Sequence, residues 1–126
     1  MVQADVRQYD AGAQSTTAFG RVLCSVRNHH FIVDGPVQND CPGEEVTPGE
    51  LFLAAVATCG VELVQVIARE RNIPLQSAKV RISGLLDRNN PVRPDLNLFN
   101  SVQLAFQLKG VTEEQGAQLV EAFQRR

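Results

Sequence analysis

TPGELFLAAVATC, residues 47–59 of this 126-residue chain, is the stretch of sequence that decides the fold. Its first four residues have the form of a capping box. Thr47 is the predicted N-cap, Pro48 takes the first helical position, and the Glu50 side chain reaches back to the cap. The apolar residues that follow predict a long helix, which we expect to end at Asn72 and Pro74.

This predicted helix is apolar on nearly every side. Between Leu51 and Val61 the only hydroxyl or charged side chain is that of Thr58. A helix that is apolar all round is normally buried all round. A helix of ~24 residues is ~36 Å long, and a single chain of this size has little interior in which to bury it. A second copy of the chain, covering one side, would supply the missing burial.

The rest of the sequence predicts strands and one more helix. Alternating apolar residues predict strands at 21–28, 31–34, 76–86 and 101–108, with a tight turn at 28–30. A further strand is expected at 2–9 and a loop at 10–20. A second capping box, at 111–115, opens a C-terminal helix. Antiparallel strands with two unequal helices make the fold class α+β.

Composition and charge exclude several classes of function. Apolar residues make up 44% and charged residues 21% of a chain with a net charge of −2, which indicates one globular domain. The basic residues form no run, so we expect no binding to nucleic acid or to an anionic membrane. The N-terminus has no apolar signal core, and three cysteines are an odd number. Both observations favour reduced thiols and a cytoplasmic location.

Cys59 is the first candidate for chemistry because it lies in the middle of the apolar helix and Gly60 follows it. Cysteine is also a common core residue, so a purely structural role stays open. A reactive thiolate needs a nearby cation, and the helix supplies none close to Cys59. Cys24 alternates in phase with apolar neighbours and is expected in the core. Cys41 lies in an acidic loop and is expected to be exposed.

Other kinds of site have no support in the sequence. His29 and His30 are adjacent and would point to opposite faces of a strand, so they cannot hold one metal ion together. There is no metal-binding spacing, no phosphate-binding glycine loop and no serine nucleophile elbow. We therefore expect neither a metal nor a cofactor.

Several motifs together resemble the OsmC/Ohr family of osmotically induced and organic-hydroperoxide-resistance proteins. They are DGP at 34–36, the stretch at 47–59, NIPL at 72–75 and LKGVTEEQ at 108–115. The resemblance covers roughly residues 20–126. It implies a single domain over 1–126 and an intertwined α+β homodimer, in which antiparallel sheets surround long, buried central helices.

The resemblance also implies a thiol peroxidase that reduces organic hydroperoxides in defence against oxidative stress. Cys59 matches the nucleophile, which becomes a sulfenic acid. An Arg and a Glu assist this thiol in the family. A second, resolving cysteine forms a disulfide with it, and a lipoyl-type dithiol then reduces that disulfide. Apolar walls favour bulky hydroperoxides.

This sequence departs from the family pattern at two of those positions. The family Glu follows the helix-start Pro directly, where this chain has Gly49, so Glu50 is displaced by ~100° around the helix. Arg21 is the nearest match for the Arg, with Arg27 as the runner-up. The resolving cysteine belongs to a closing strand segment, which we expect residues 1–126 to lack. Cys41 or Cys24 could replace it only if the fold brings one of them to Cys59.

Two functional hypotheses follow. In the first, Cys59, Arg21 and Glu50 form the catalytic site of a peroxidase. In the second, a non-enzymatic OsmC-like dimer binds a small apolar or electrophilic ligand over Cys59. A cation close to the Cys59 sulfur would separate the two.

Overall fold

The computed structural model describes residues 5–95 and 99–125 and confirms the α+β class. Its elements are three strands, β1 (Gly12–Ser15), β2 (Arg21–Val26) and β3 (His29–Asp34), then the long helix α1 (Pro48–Glu70), strands β4 (Ser77–Leu85) and β5 (Ser101–Lys109), and helix α2 (Glu113–Gln124). A short 3-10 turn covers Val37–Asn39. The chain divides into two compact units, Met1–Leu51 and Phe52–Arg126.

The first unit is built on an antiparallel sheet in the order β1-β2-β3. The β2–β3 hairpin turns at Arg27 and Asn28, and it pairs Val26 with His29 and Arg21 with Asp34. The predicted turn at 28–30 was therefore wrong, since both histidines belong to β3. Arg27 has a φ of 53°, a left-handed conformation that glycine or asparagine usually adopts in such turns.

The N-terminal predictions were also wrong. Residues 5–9 form no strand, and residues 2–4 lie outside the described residues. The strand β1 lies instead within the predicted loop, where Ala13 pairs with Cys24. All four residues of β1 are exposed, and none belongs to an alternating apolar pattern, so backbone pairing with β2 defines this strand.

The second unit combines a two-stranded antiparallel sheet with helical packing. In β4 and β5 exposed residues alternate with half-buried ones, which confirms both predicted strands. The buried core consists of Val64, Ile67 and Ala68 of α1 with Leu119 of α2. Apolar side chains of the sheet and the connecting segments pack around it, including Ile73, Leu75, Ala78, Phe106, Leu108, Val111, Ala122 and Phe123.

Both ends of α1 follow their local sequence signals. At the start, the Thr47 backbone N–H donates to Glu50 Oε1 at 3.0 Å, and the Glu50 backbone N–H donates to Thr47 Oγ1 at 3.5 Å. At the end, Asn72 has a φ of 55°, and the Ile73 N–H donates to the Ala68 carbonyl at 2.8 Å. This left-handed cap, followed by Pro74, stops the helix where the sequence predicts.

One face of α1 carries apolar side chains that the single chain leaves exposed. Phe52 is 55% exposed and Val66 is 36% exposed, and all the buried residues of α1 lie at or beyond Gly60. By length and composition α1 would suit a bilayer, although core helices of soluble proteins pass the same test.

Candidate active site

Cys59 lies in the middle of α1 and is an exposed, free thiol. The neighbouring Thr58 side chain makes its hydrogen bond within the helix, since Thr58 Oγ1 donates to the Ala55 carbonyl at 2.9 Å. A shallow groove of about 300 Å³ runs along this part of the helix and is lined by Ala57, Thr58, Val61, Glu62, Gln65 and Val80. Cys59 is not among the residues that line this groove, and Thr58, Glu62 and Gln65 give the groove a partly polar lining.

Gly60 serves the packing of α1 on the sheet. It is buried, and a Cβ built on it would lie 3.4 Å from Phe106 Cζ and 3.6 Å from Val80 Cγ2. These are ordinary contact distances, so the sheet packs directly against this turn of the helix. Gly60 thus faces the sheet, while its neighbour Cys59 faces away from the core.

Arg21, the predicted thiolate partner, takes part in an ion pair within the first unit. Its Nε donates to Asp34 Oδ1 at 2.8 Å, and its Nη2 donates to Asp34 Oδ2 at 2.9 Å. Nη2 also donates to Glu44 Oε1 at 3.0 Å. Nη1 makes no hydrogen bond to any residue in the described part of the chain. Two N–H groups of the guanidinium therefore stay available.

Asp34 is the carboxylate that organises this cluster, and it is fully buried. Besides the Arg21 guanidinium, Oδ2 accepts hydrogen bonds from the backbone N–H groups of Glu44 at 3.1 Å and Glu45 at 2.9 Å. The Arg21 guanidinium holds the pKa of the Asp34 carboxyl well below its usual range, and the two backbone donors lower it further against the opposing effect of burial. The same contacts raise the pKa of Arg21.

Glu50 acts as the capping residue of α1, as the capping box predicts. Its Oε1 accepts hydrogen bonds from the backbone N–H of Thr47 and from Thr47 Oγ1, the latter at 2.9 Å. These bonds lower the pKa of the Glu50 carboxyl, with the backbone donor as the larger cause. Among the described residues nothing donates to Oε2, so one oxygen of Glu50 is free for another partner.

The other residues singled out in the sequence lie in the first unit. Cys24 is half-buried in β2, and Cys41 is half-buried rather than exposed. The Cys41 side chain packs where Gly20 and Gly35 have no Cβ. Arg27 is exposed at the hairpin turn.

Among the described residues, the two histidines of β3 do not belong to a metal-binding cluster. His30 Nδ1 lies 2.8 Å from Ser25 Oγ on the neighbouring strand. Within residues 5–95 and 99–125 no three histidine, cysteine or acidic side chains are grouped so that they could hold a metal ion.

The predicted site residues thus fall in different parts of the chain. Arg21 and Glu50 belong to the first unit, in separate hydrogen-bond networks, whereas Cys59 belongs to the second. The residue that sequence reasoning missed is Asp34. Asp34 belongs to the DGP motif at 34–36, but its pairing with Arg21 depends on the register of the β2–β3 hairpin, which the sequence pattern predicted incorrectly.

Comparison with known proteins identifies the family. The family model described as OsmC-like protein matches residues 41–126, and the chain belongs to this family. No curated protein sequence matches it.

Several solved structures share the fold at low sequence identity. An OsmC-like protein from Mycoplasma pneumoniae superposes with a TM-score of 0.80 at 14% identity, over 95% of this chain and 82% of that one. An organic hydroperoxide resistance protein from Legionella pneumophila gives 0.75 at 18% identity, over 97% and 85%. One from Elizabethkingia anophelis, with thiocyanate bound, gives 0.71 at 17% identity, over 98% and 85%.

Proposed function

We propose that this protein is a thiol-dependent peroxidase that reduces organic hydroperoxides, with Cys59 as the nucleophile, in defence against oxidative stress. One observation carries the proposal: an OsmC-like chain presents an exposed cysteine in the middle of its apolar helix. Solved structures with the same fold include proteins named for organic hydroperoxide resistance. Exposed apolar side chains on the same helix, Phe52 and Val66 among them, suit a hydroperoxide with a bulky apolar group.

The reaction breaks one peroxide bond and oxidises the Cys59 thiol, which a dithiol then regenerates. The Cys59 thiolate attacks the terminal oxygen of the hydroperoxide, an S–O bond forms, and the O–O bond breaks. The alkoxide leaves and takes a proton to become the alcohol, while Cys59 is oxidised to the sulfenic acid. A dithiol of the lipoyl class then reduces the sulfenic acid. It releases water, returns the Cys59 thiol and becomes a disulfide.

Arg21 is the proposed partner of the thiolate. A guanidinium favours the ionised form of a nearby thiol, and the two Nη1 N–H groups of Arg21 are available for this purpose. Glu50 is the proposed hydrogen-bond partner at the same site, through its free Oε2. These two assignments rest on the family resemblance and on the free donors and acceptor described above.

A homodimer completes the proposal. The exposed apolar side chains of α1, Phe52 and Val66 among them, favour coverage by a second copy, because contiguous exposed apolar surface is costly in water. We place this dimer in the cytoplasm, where a thiol stays reduced between turnovers.

The deciding measurement is the second-order rate of Cys59 oxidation by cumene hydroperoxide and by hydrogen peroxide. A variant with Cys24→Ser and Cys41→Ser keeps Cys59 as the single thiol, and dimedone traps its sulfenic acid. Cys59→Ser is the blank. We expect a rate far above that of a free thiol and a strong preference for the organic peroxide. A rate equal to that of a free thiol would refute the peroxidase proposal.

A non-enzymatic role is the second candidate, and the groove lined by Ala57, Thr58 and Val61, among other residues, on the same helix as Cys59 favours it. In that case the dimer binds a small apolar or electrophilic molecule over Cys59. Thiol chemistry would then be slow and unselective, and the ligand would raise the melting temperature in proportion to its concentration and affinity.

A further inference from the structure

We infer that Glu62 is a further catalytic residue, which carries the proton of the Cys59 thiol to the leaving oxygen of the hydroperoxide. This inference rests on the proposed function, because it takes Cys59 as the nucleophile. It assigns a carrier to a proton that the reaction has to move. Both residues belong to α1 in the second unit, so the helix itself fixes their relative position.

Glu62 is an isolated charge on an apolar helix. Between Leu51 and Ala68 it is the only charged residue, and the other charged residues of α1 lie in the first and last turns. In the described part of the chain, the Glu62 side chain makes no hydrogen bond and no ion pair. No contact within those residues occupies this carboxylate, which leaves it available for chemistry.

Glu62 lies one turn after Cys59 on the exposed side of α1. Residues three apart on a helix are neighbours, with their Cβ atoms roughly 5–6 Å apart. Side chains on a helix lean toward its N-terminus and cover the preceding turn. Glu62 therefore leans over the turn that contains Thr58 and Cys59. A hydroperoxide that reacts at the Cys59 sulfur comes within reach of this carboxylate.

Glu62 also stands at the edge of the groove along α1, and no other charged side chain lines the groove among the described residues. At about 100° per residue, the lining residues of α1 cover an arc from Ala57 to Glu62, and Glu62 is the end nearest Cys59, ~60° away. Ala57, Val61 and Val80 give the groove its apolar part, which suits the organic group of a hydroperoxide. The peroxide bond of such a substrate would then lie beside Glu62, on the side of the thiol.

The proton balance of the reaction uses this arrangement. The Glu62 carboxylate accepts the thiol proton, and the Cys59 sulfur attacks the terminal oxygen of the hydroperoxide. The S–O bond forms, the O–O bond breaks, and Glu62 donates the same proton to the departing alkoxide, which leaves as the alcohol. Cys59 is oxidised to the sulfenic acid, the peroxide is reduced, and Glu62 returns to its starting form.

A purely electrostatic effect of Glu62 would have the opposite sign. A fixed negative charge close to the sulfur opposes the negative charge of a thiolate, so removal of that charge alone would speed the oxidation. Removal of a proton carrier would slow it. The direction of the change in Glu62→Gln therefore distinguishes the two roles.

The test measures the second-order rate of Cys59 oxidation by cumene hydroperoxide, in the full chain with Cys59 as its single thiol. We expect Glu62→Gln, which keeps the shape of the side chain, to slow oxidation by about 100-fold, as the loss of a positioned acid–base group does. Glu114→Gln is the matched control, because it removes an exposed carboxylate of α2, and it should leave the rate unchanged. Circular dichroism checks that each variant is folded.

Glu62→Ala supplies a readout that a merely structural role would not move. It removes the carboxylate and leaves space for a small acid beside Cys59. Formate should therefore speed the oxidation of Glu62→Ala in proportion to its concentration. The same formate should not change the rate of Glu62→Gln, in which the amide fills the space.

Two results would overturn the inference and leave the proposed function standing. One is a Glu62→Gln variant that is oxidised as fast as the single-thiol chain or faster, and the other is a Glu62→Ala variant that formate does not accelerate. A rate for the single-thiol chain no faster than that of a free thiol is a different failure. It would refute the peroxidase proposal itself, and the role of Glu62 with it.

Discussion

The carboxylate of Asp34 and the guanidinium of Arg21 form a two-point ion pair between opposite residues of one hairpin, with N–O distances of 2.8 and 2.9 Å. The pair closes the open end of the β2–β3 hairpin and ties the loop after β3 to it through Glu44 and Glu45. Because this ion pair joins the hairpin to the loop, the stability of the first unit depends on the charge of the buried Asp34 carboxyl.

The stability of the protein should therefore depend on pH in the acid range. The pKa of Asp34 is lower in the folded chain than its ordinary value, so the unfolded chain binds a proton first as the pH falls. The contribution of the pair is complete above the ordinary pKa of about 4 and is lost progressively below it. Urea unfolding at several pH values should show a free energy of unfolding that decreases below about pH 4.

Asp34→Asn should flatten that pH dependence and lower the free energy of unfolding at neutral pH. Part of the slope should remain, because the pKa values of Glu50 and Asp87 are also lowered by hydrogen bonds in the folded chain. An unchanged slope in the Asn variant would show that the Asp34 carboxyl is not the titrating group.

Gly60→Ala should stabilise the protein by about 1 kcal/mol, because glycine is that much less favourable than alanine inside a helix. The new methyl group would meet Phe106 and Val80 at 3.4–3.6 Å, which requires no rearrangement. Thermal unfolding measures the change. Gly84→Ala is the contrasting variant, since its methyl group would lie 2.8 Å from Phe99 Cδ1 and should lower the melting temperature.

A loss of stability in Gly60→Ala would contradict this account. It would mean that Phe106 and Val80 of the sheet cannot accommodate the added methyl group.

Leu119→Ala should destabilise the second unit by about 2–5 kcal/mol, the usual cost of removing a buried leucine side chain. Leu119 is fully buried with Val64 and Ile67 of α1, so the cavity would open between the two helices. Urea unfolding followed by circular dichroism measures the loss. Gln118→Ala, at an exposed neighbouring position of α2, should change stability by less than about 0.5 kcal/mol.

Ala55→Glu should separate the proposed dimer into single chains. Ala55 is exposed on the apolar side of α1, so a carboxylate is tolerated there in one chain but would be buried, without a partner, between two. Sedimentation equilibrium should give twice the chain mass of 13.8 kDa for the wild type and the single mass for the variant. Gln118→Glu adds the same charge on α2 and should remain dimeric. A monomeric wild type would refute the dimer.

The elements that the sequence predicted well are those with local signals. The start of α1 follows from the capping box of Thr47 and Glu50, and its end follows from Asn72 and Pro74, so neither requires knowledge of the rest of the chain. The same holds for α2, where Thr112 and Gln115 form both bonds of a capping box. The strands β4 and β5 show regular alternation because one face packs on α1.

The hairpin that carries Arg21 could not be predicted in the same way. Its turn uses Arg27 in a left-handed conformation, where no glycine or proline marks the position. A turn centred on His29 pairs Arg21 with Val37, whereas the observed turn pairs Arg21 with Asp34. A turn centred on His29 also places Asp34 opposite Cys24 instead of Arg21, so the sequence pattern did not predict the ion pair.

The uneven burial of α1 has a consequence for the dynamics of the helix. Its buried residues lie between Gly60 and Ala68, so amide protons in that half should exchange with deuterium only when the second unit opens as a whole. Amides between Phe52 and Thr58 lack this cover in the single chain and should exchange through local fraying in the Ala55→Glu variant, which is expected to be monomeric. Cys59 lies at the boundary between the two halves. The amides that follow it should exchange slowly, and those that precede it should exchange faster.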